Sequence, residues 1–340
     1  MEDRMDLRKV QLTGGSSIAI TLPKTWVDKA QIRPGDVVGC LQQADGSLSI
    51  HPHAKSGRSP QKYAIDVTIE AGDALFRKII AAYLMGFDQI EIKSKKPLSP
   101  ELRQVIRTAV RRIIGLEIVE EQPNTISLQD FLDPREFHME KALRRMGMLL
   151  QAMHDEAFNA LVDHKPQIRE SMEDRDDEVD RLYWLINKQY HAILRDGSYG
   201  AKMGLDASQA LNYLLAARLI ERTADHAARI ASESVLITEA KIPGPLVQRL
   251  EKQGRKAAEL LQAALQTFFR KDWVKANQVI DEAQKFLDSQ KRLLKETADT
   301  VGETVVHLTY IMESISRTAA YATDISEVAV NHVVANSGSD

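Results

Sequence analysis

The chain reads as a multidomain protein with a short β-rich head, a small α/β domain and a long all-α body. Three observations predict this. Residues 8–52 are short apolar runs broken by Gly, Pro and Asp turns. Residues 60–132 alternate strand-like and helix-like periodicities. From Asp133 to about Val334, amphipathic helices run with few Gly or Pro to interrupt them. The expected domains are 1–53, 60–132 and 133–335, with residues 54–60 (AKSGRSP) as a linker.

In the head, a Gly14-Gly15 turn precedes Ile18, Ile20 and Leu22, which alternate with Ala19 and Thr21 up to Pro23. Trp26 to Ala30 suits one short helix, Arg33-Pro34-Gly35-Asp36 is a turn, and Ala44-Asp45-Gly46-Ser47 signals a hairpin. So few residues bury little core by themselves, and dimerisation is expected to complete the unit. In the second region, Tyr63–Glu70, Phe87–Ile92, Leu116–Glu121 and Thr125–Phe131 read as strands. Asp73–Met85 and Pro100–Ile114 read as helices, the latter starting from a Ser99 cap with proline at its first position. A small α/β sandwich of the ferredoxin-like kind follows.

The body breaks near His164–Pro166, between Asp196 and Gly204, and at Pro243-Gly244-Pro245. It carries signs of duplication. Arg222–Ala224 recurs as Arg317–Ala319, Ile230 matches Ile325, and Glu173 and Asp180 lie over Asp281 and Asp288. Asp180 to Glu221 spans 41 positions and Asp288 to Ser316 spans 28; the turn-rich segment RDGSYGAKMGLDA accounts for the 13 between them. Two related three-helix units are expected, about 135–237 and 245–334, followed by a disordered ANSGSD tail.

Composition narrows the function classes. The net charge of -3 divides into +2 for residues 1–59, 0 for 60–132 and -5 for the remainder, so a slightly basic head joins an acidic body. A lone Cys40 excludes an internal disulfide framework and fits a reducing compartment. No run approaches the roughly 18 apolar residues of a membrane span, and the charged N-terminus is unlike a signal peptide, so a cytoplasmic protein is expected. Catalysis has little support: there is no Walker-type loop, no Gly-x-Gly-x-x-Gly after a strand and no nucleophile in a recognisable setting, and a metal-dependent hydrolase on the acidic residues would need an open coordination position and a general base that the sequence does not identify.

Two carboxylates stand out. Leu214, Ala217, Glu221, Ala224, Ala228 and Ala231 form one side of a helix, and Glu221 interrupts that small-residue stripe with Asp225 one turn later. Buried like charges require a cation, an Arg partner or protonation. Glu173, Asp177 and Asp180 form a second acidic stripe on another helix. An antiparallel pairing of the two gives an all-oxygen site suited to a hard cation. Arg181 and Arg229, four residues after Asp177 and Asp225, offer the alternative of ordinary surface pairs. His226 points about 100° away from Asp225 and reads as a packing or surface residue. A di-iron enzyme would need Glu-x-x-His pairs, which the chain lacks.

The helical region, roughly residues 135–334, resembles the PhoU family of phosphate-transport regulators through its motifs EDRDDEVD (Glu173, Asp177, Asp180) and ERTAD (Glu221, Asp225). That resemblance implies tandem three-helix bundles and a divalent or trivalent metal ion (Fe, Mn, Mg or Zn) on those acids. In the second unit Ser316 and Ala320 stand where the family has its acid pair, so one metal site per chain is expected. Residues 8–52 resemble the SpoVT/AbrB DNA-binding domain through Ile20 to Lys24 and the segment Ile32-Arg33-Pro34-Gly35-Asp36. This implies a swapped-hairpin β-barrel built by two chains, hence a homodimer. Arg8, Lys9, Ser16 and Lys24 are the candidate DNA contacts, donors to phosphates and base edges. The stripe Arg103, Arg107, Arg111 with Arg112 adjacent is either a solvated helix face or an auxiliary polyanion site. Together the head and body resemble phosphate uptake regulators. The expected function is a DNA-binding transcriptional regulator whose bundles sense metal or a protein partner. The alternative is an interaction protein docking on a phosphate transporter or sensor kinase, with the barrel serving only dimerisation.

Overall fold

The computed structural model describes residues 6–42, 46–52, 60–67, 72–133, 136–163, 168–238, 244–297 and 304–337. Residues 54–59 of the expected linker, the hairpin residues Ala44 and Asp45, the break at 164–166 and the last three positions lie outside them. The chain forms two compact units, residues 1–59 and 60–340.

The first unit contains two separate hairpins. β1 (Gln11–Thr13) pairs with β2 (Ser17–Ala19), and β3 (Gly39–Gln42) pairs with β4 (Leu48–His51), both antiparallel. Between them α1 (Lys24–Lys29) follows Pro23, and a turn closes where Arg33 N donates to Asp36 Oδ2 at 2.7 Å. None of the described residues of this unit is buried.

The second unit begins with a four-stranded sheet. β5 (Lys62–Asp66), α2 (Gly72–Leu84), β6 (Gln89–Lys93), α3 (Pro100–Arg112), β7 (Leu116–Glu121) and β8 (Thr125–Asp130) give the order β5-β6-β8-β7. This corrects the ferredoxin-like expectation. That fold is βαββαβ, with its crossovers split by an intervening strand. Here β5 and β6 are immediate parallel neighbours joined through α2. β7 and β8 form a hairpin whose turn is closed by Gln122 N donating to Thr125 O. The alternation of β6 and β8 turns Ile90, Ile92, Ile126 and Leu128 to one face, in the register Ile90↔Leu128 and Ile92↔Ile126, where Leu75, Ile79 and Ile106 from the helices complete a core. The Ser99 cap is present: its Oγ accepts from Leu102 N, with Pro100 next in line.

The body comprises α4 (Met139–Asp163), α5 (Ile168–Arg195), the short α6 (Gly197–Met203), α7 (Ala207–Thr238), α8 (Gly244–Arg270), α9 (Trp273–Thr297) and α10 (Thr304–Ser337). α4, α5 and α7 pack on one another, as do α8, α9 and α10; α7 against α10 and α4 against α8 join the two sets. The insert between Asp180 and Glu221 carries α6. The contacts of α4 with α8 are reciprocal, as a pseudo-two-fold relation between the copies requires. Phe158 of α4 stands against Gly254 of α8, where a Cβ would lie 2.2 Å from the ring, and Leu265 of α8 reaches Gly147 of α4. Ala216, Ala217, Ala224, Ala227 and Ala231 let the neighbours approach α7 closely, and buried hydroxyls such as Thr223 and Ser234 satisfy themselves on carbonyls four residues back.

Candidate functional site

In the first unit, Arg8 and Lys9 lie on the extended segment entering β1, Ser16 lies in the β1–β2 turn, and Lys24 opens α1. All four are exposed. Arg8 forms an ion pair with Asp6. The same hairpins expose apolar side chains: Leu12 and Ile18 are each 73% exposed, and Val10, Ile20, Val37 and Leu48 all stand above half.

In the second unit, the acids of α5 and α7 face one another. The core face of α5 holds Met172, Val179 and Ile186. This leaves Glu173, Asp176 and Asp180 on the flank towards α7, each within a turn of the next. Burial raises the Asp180 carboxyl to about 7, with repulsion from Asp176 and Glu221 adding to the rise. Asp176 is pushed up to about 6, first by burial and then by Asp225. Glu221 and Asp225 are also raised, mainly by burial, while Arg218 pulls both down. Arg218 Nη1 donates to Glu221 Oε1 at 3.0 Å, whereas Glu221 Oε2 is buried without a hydrogen-bond partner. Glu173 and Asp225 line a groove of about 420 Å³ with Arg169, Arg229 and Glu233. Asp176, absent from the sequence-derived set, is thus a central member. Asp177 points elsewhere.

The partner of Asp177 is Arg112, at the C-terminal end of α3 in the α/β domain, which forms an ion pair with Asp177 and stands 3.7 Å from Asp180. Arg181 is therefore not the partner that the i,i+4 spacing suggests, and Arg229 lies over the Tyr310 ring. Arg112 itself is 5.9 Å above the Phe76 ring of α2, and Phe76 meets Trp184 of α5 edge-on. Further along α5, Lys188 pairs with Asp130 at the end of β8, both side chains almost wholly buried, with Lys188 Nζ 4.3 Å over the Tyr83 ring. Arg195 reaches the Met85 carbonyl beside Gly86, whose left-handed backbone ends α2 and which leaves no room for a Cβ under the guanidinium. The polyanion reading of the α3 stripe loses Arg103, which pairs with Glu121 and donates to the carbonyls of Gln122 and Pro123.

Among the described residues, no group of three or more His, Cys, Asp or Glu side chains is arranged to hold a metal ion. Carboxylates are plentiful, but guanidinium groups stand on them. In the second copy Ser316 Oγ turns back to the Met312 carbonyl of its own helix. No described helix is long and apolar enough to cross a membrane.

Two small three-helix units joined face to face define the class of the body: a tandem helical bundle. Residues 143–234 match the PhoU domain, and residues 11–57 match the family described as antidote-toxin recognition MazE, bacterial antitoxin. Residues 143–234 are thus similar to a PhoU domain and the head to a MazE-like domain. Its fold is similar to that of PhoU from Pseudomonas aeruginosa, at 18% identity and a TM-score of 0.50, covering 58% of this chain and 96% of that one. The phosphate transport system regulatory protein PhoU from Streptococcus pneumoniae also matches, at 18% identity and a TM-score of 0.46, over 57% and 92% of the two chains. No curated protein matches the chain.

Proposed function

We propose that the protein regulates phosphate uptake by binding DNA as a dimer through its head, while the PhoU-like body receives the signal through a protein partner. The observation that carries this reading is that none of the described residues of the head is buried. Two isolated two-stranded ribbons that leave Leu12, Ile18 and Ile20 in water are not stable alone, and a second copy supplies the apolar surface they need. Dimerisation doubles Arg8, Lys9, Ser16 and Lys24 into a two-fold array of donors, the arrangement a duplex of pseudo-palindromic sequence accepts. Six cations on six phosphates give a salt dependence of slope about -5 in log K against log salt.

The test is fluorescence anisotropy with promoter fragments of phosphate-transport genes at several salt concentrations. Salt-sensitive binding that weakens in Arg8→Ala and Lys24→Ala supports the reading; absence of binding at low salt sinks it. The pairing of Arg8 with Asp6 favours one other reading, in which the head only dimerises and the body docks on a transporter or sensor kinase. Pull-down of transporter components without DNA binding would select it.

A further inference from the structure

The family resemblance leads one to expect a metal ion on the acids of α5 and α7, and the geometry here disagrees. Arg112 of the α/β domain pairs with Asp177 and stands 3.7 Å from Asp180. On the other side of the cluster Arg218 holds Glu221. Arg112 is not a loose surface side chain. It sits at the end of α3 where the helix dipole favours a cation, its guanidinium lies over Phe76, and Phe76 packs on Trp184 of the acidic helix itself. A hard cation binds oxygens at roughly 2.0–2.6 Å, so at Asp180 it would have to share a carboxylate with the guanidinium that the neighbouring Asp177 anchors.

The two copies of the bundle add an independent observation. α2 and α3 pack on α5, in the first copy, which keeps its acids; in the second copy the α7 pair is replaced by Ser316 and Ala320. Retention of the α7 acid pair goes with the presence of the α/β domain, while the second copy keeps only Asp281 and Asp288 on α9.

We propose that Arg112 is the resident cation of this cluster, and that a metal ion gains these carboxylates only by displacing Arg112 and the end of α3 with it. Metal occupancy and α/β docking are then mutually exclusive, which couples any cation arriving at the body to the position of the α/β domain. This inference is independent of DNA binding by the head.

The experiment compares Mn²⁺ binding by the full-length protein and Arg112→Gln, using the loss of the free Mn²⁺ electron paramagnetic resonance signal. In parallel, acrylamide quenching of Trp184 is followed in a Trp26→Phe/Trp273→Phe background. Arg112→Gln is expected to bind Mn²⁺ at least tenfold more tightly than the parent. Adding Asp180→Asn and Glu221→Gln to it abolishes the gain, and Trp184 in the parent becomes more accessible as Mn²⁺ binds. Equal binding by parent and Arg112→Gln, including no binding by either, overturns the proposal. So does stoichiometric Mn²⁺ uptake by the parent with Trp184 accessibility unchanged. Arg112→Met, which keeps an apolar stem against Phe76 without the charge, gives the same comparison if Arg112→Gln does not fold.

Discussion

Lys188 and Asp130 offer the sharpest test of how the α/β domain is held. Their side chains are 4% and 6% exposed, and burial dominates both titrations, raising the Asp130 carboxyl and lowering the Lys188 amine against their mutual attraction. Lys188→Met removes the cation and leaves the Asp130 carboxylate buried alone, a loss of about 3–5 kcal/mol. In a unit of this size that corresponds to a fall of roughly 6 °C or more in the melting transition. Asp130 also accepts from Leu132 N through Oδ1 at 3.0 Å, so Asp130→Asn retains the turn while removing the charge. The double variant Lys188→Met/Asp130→Asn therefore recovers most of the loss, with a coupling of at least about 2 kcal/mol. The assay is urea and thermal unfolding followed by Trp184 fluorescence, with Trp26 and Trp273 replaced by Phe. Additive losses in the double variant, or a Lys188→Met change within about 0.5 kcal/mol, would refute the reasoning.

Three further outcomes follow from named contacts. Gly254→Ala forces a Cβ against Phe158 and is expected to cost about 1–3 kcal/mol in the same unfolding assay. His154 is buried against Phe158 with neither ring nitrogen hydrogen-bonded, and burial lowers its pKa from 6.5 to about 4. A base depressed in this way lends stability at neutral pH that is lost as the pH falls below 6.5. The protein should lose about 2 kcal/mol between pH 7 and pH 5 through this group, and His154→Leu should remove that part of the pH dependence. Ile18→Asp puts a charge on the exposed apolar surface of the head and should abolish, in light scattering, the dimerisation proposed for the parent.

The body and its duplication were legible because helical periodicity and the Arg-Thr-Ala repeat are local signals, and the α6 insert appears directly as extra length. The strands of the α/β domain were legible for the same reason, through the alternation around Ile90, Ile92, Ile126 and Leu128. Their order was not, since alternation shows which face is buried and not which strand lies alongside. Within the acidic run, spacing from Glu173 selected Asp177, because Asp176 and Asp177 are neighbours and either continues a stripe to Asp180. The burial of Val179 and Ile186 decides between them, turning Asp176 towards α7 and Asp177 towards α3. Arg112 could not be paired with these acids from sequence, as the contact comes from the docking of a domain remote along the chain. One signal was present: Trp184 is a large aromatic off the core stripe of α5, and it is covered by Phe76.

The proposed DNA binding by the head has a direct readout in the cell. Chromatin immunoprecipitation of the native protein, in phosphate-replete and phosphate-starved cells, tests it most directly. Enrichment is expected at promoters of phosphate-transport genes, changing with phosphate supply and disappearing in an Arg8→Ala/Lys24→Ala variant. Uniform background signal in both conditions, with the protein present and dimeric, would contradict it.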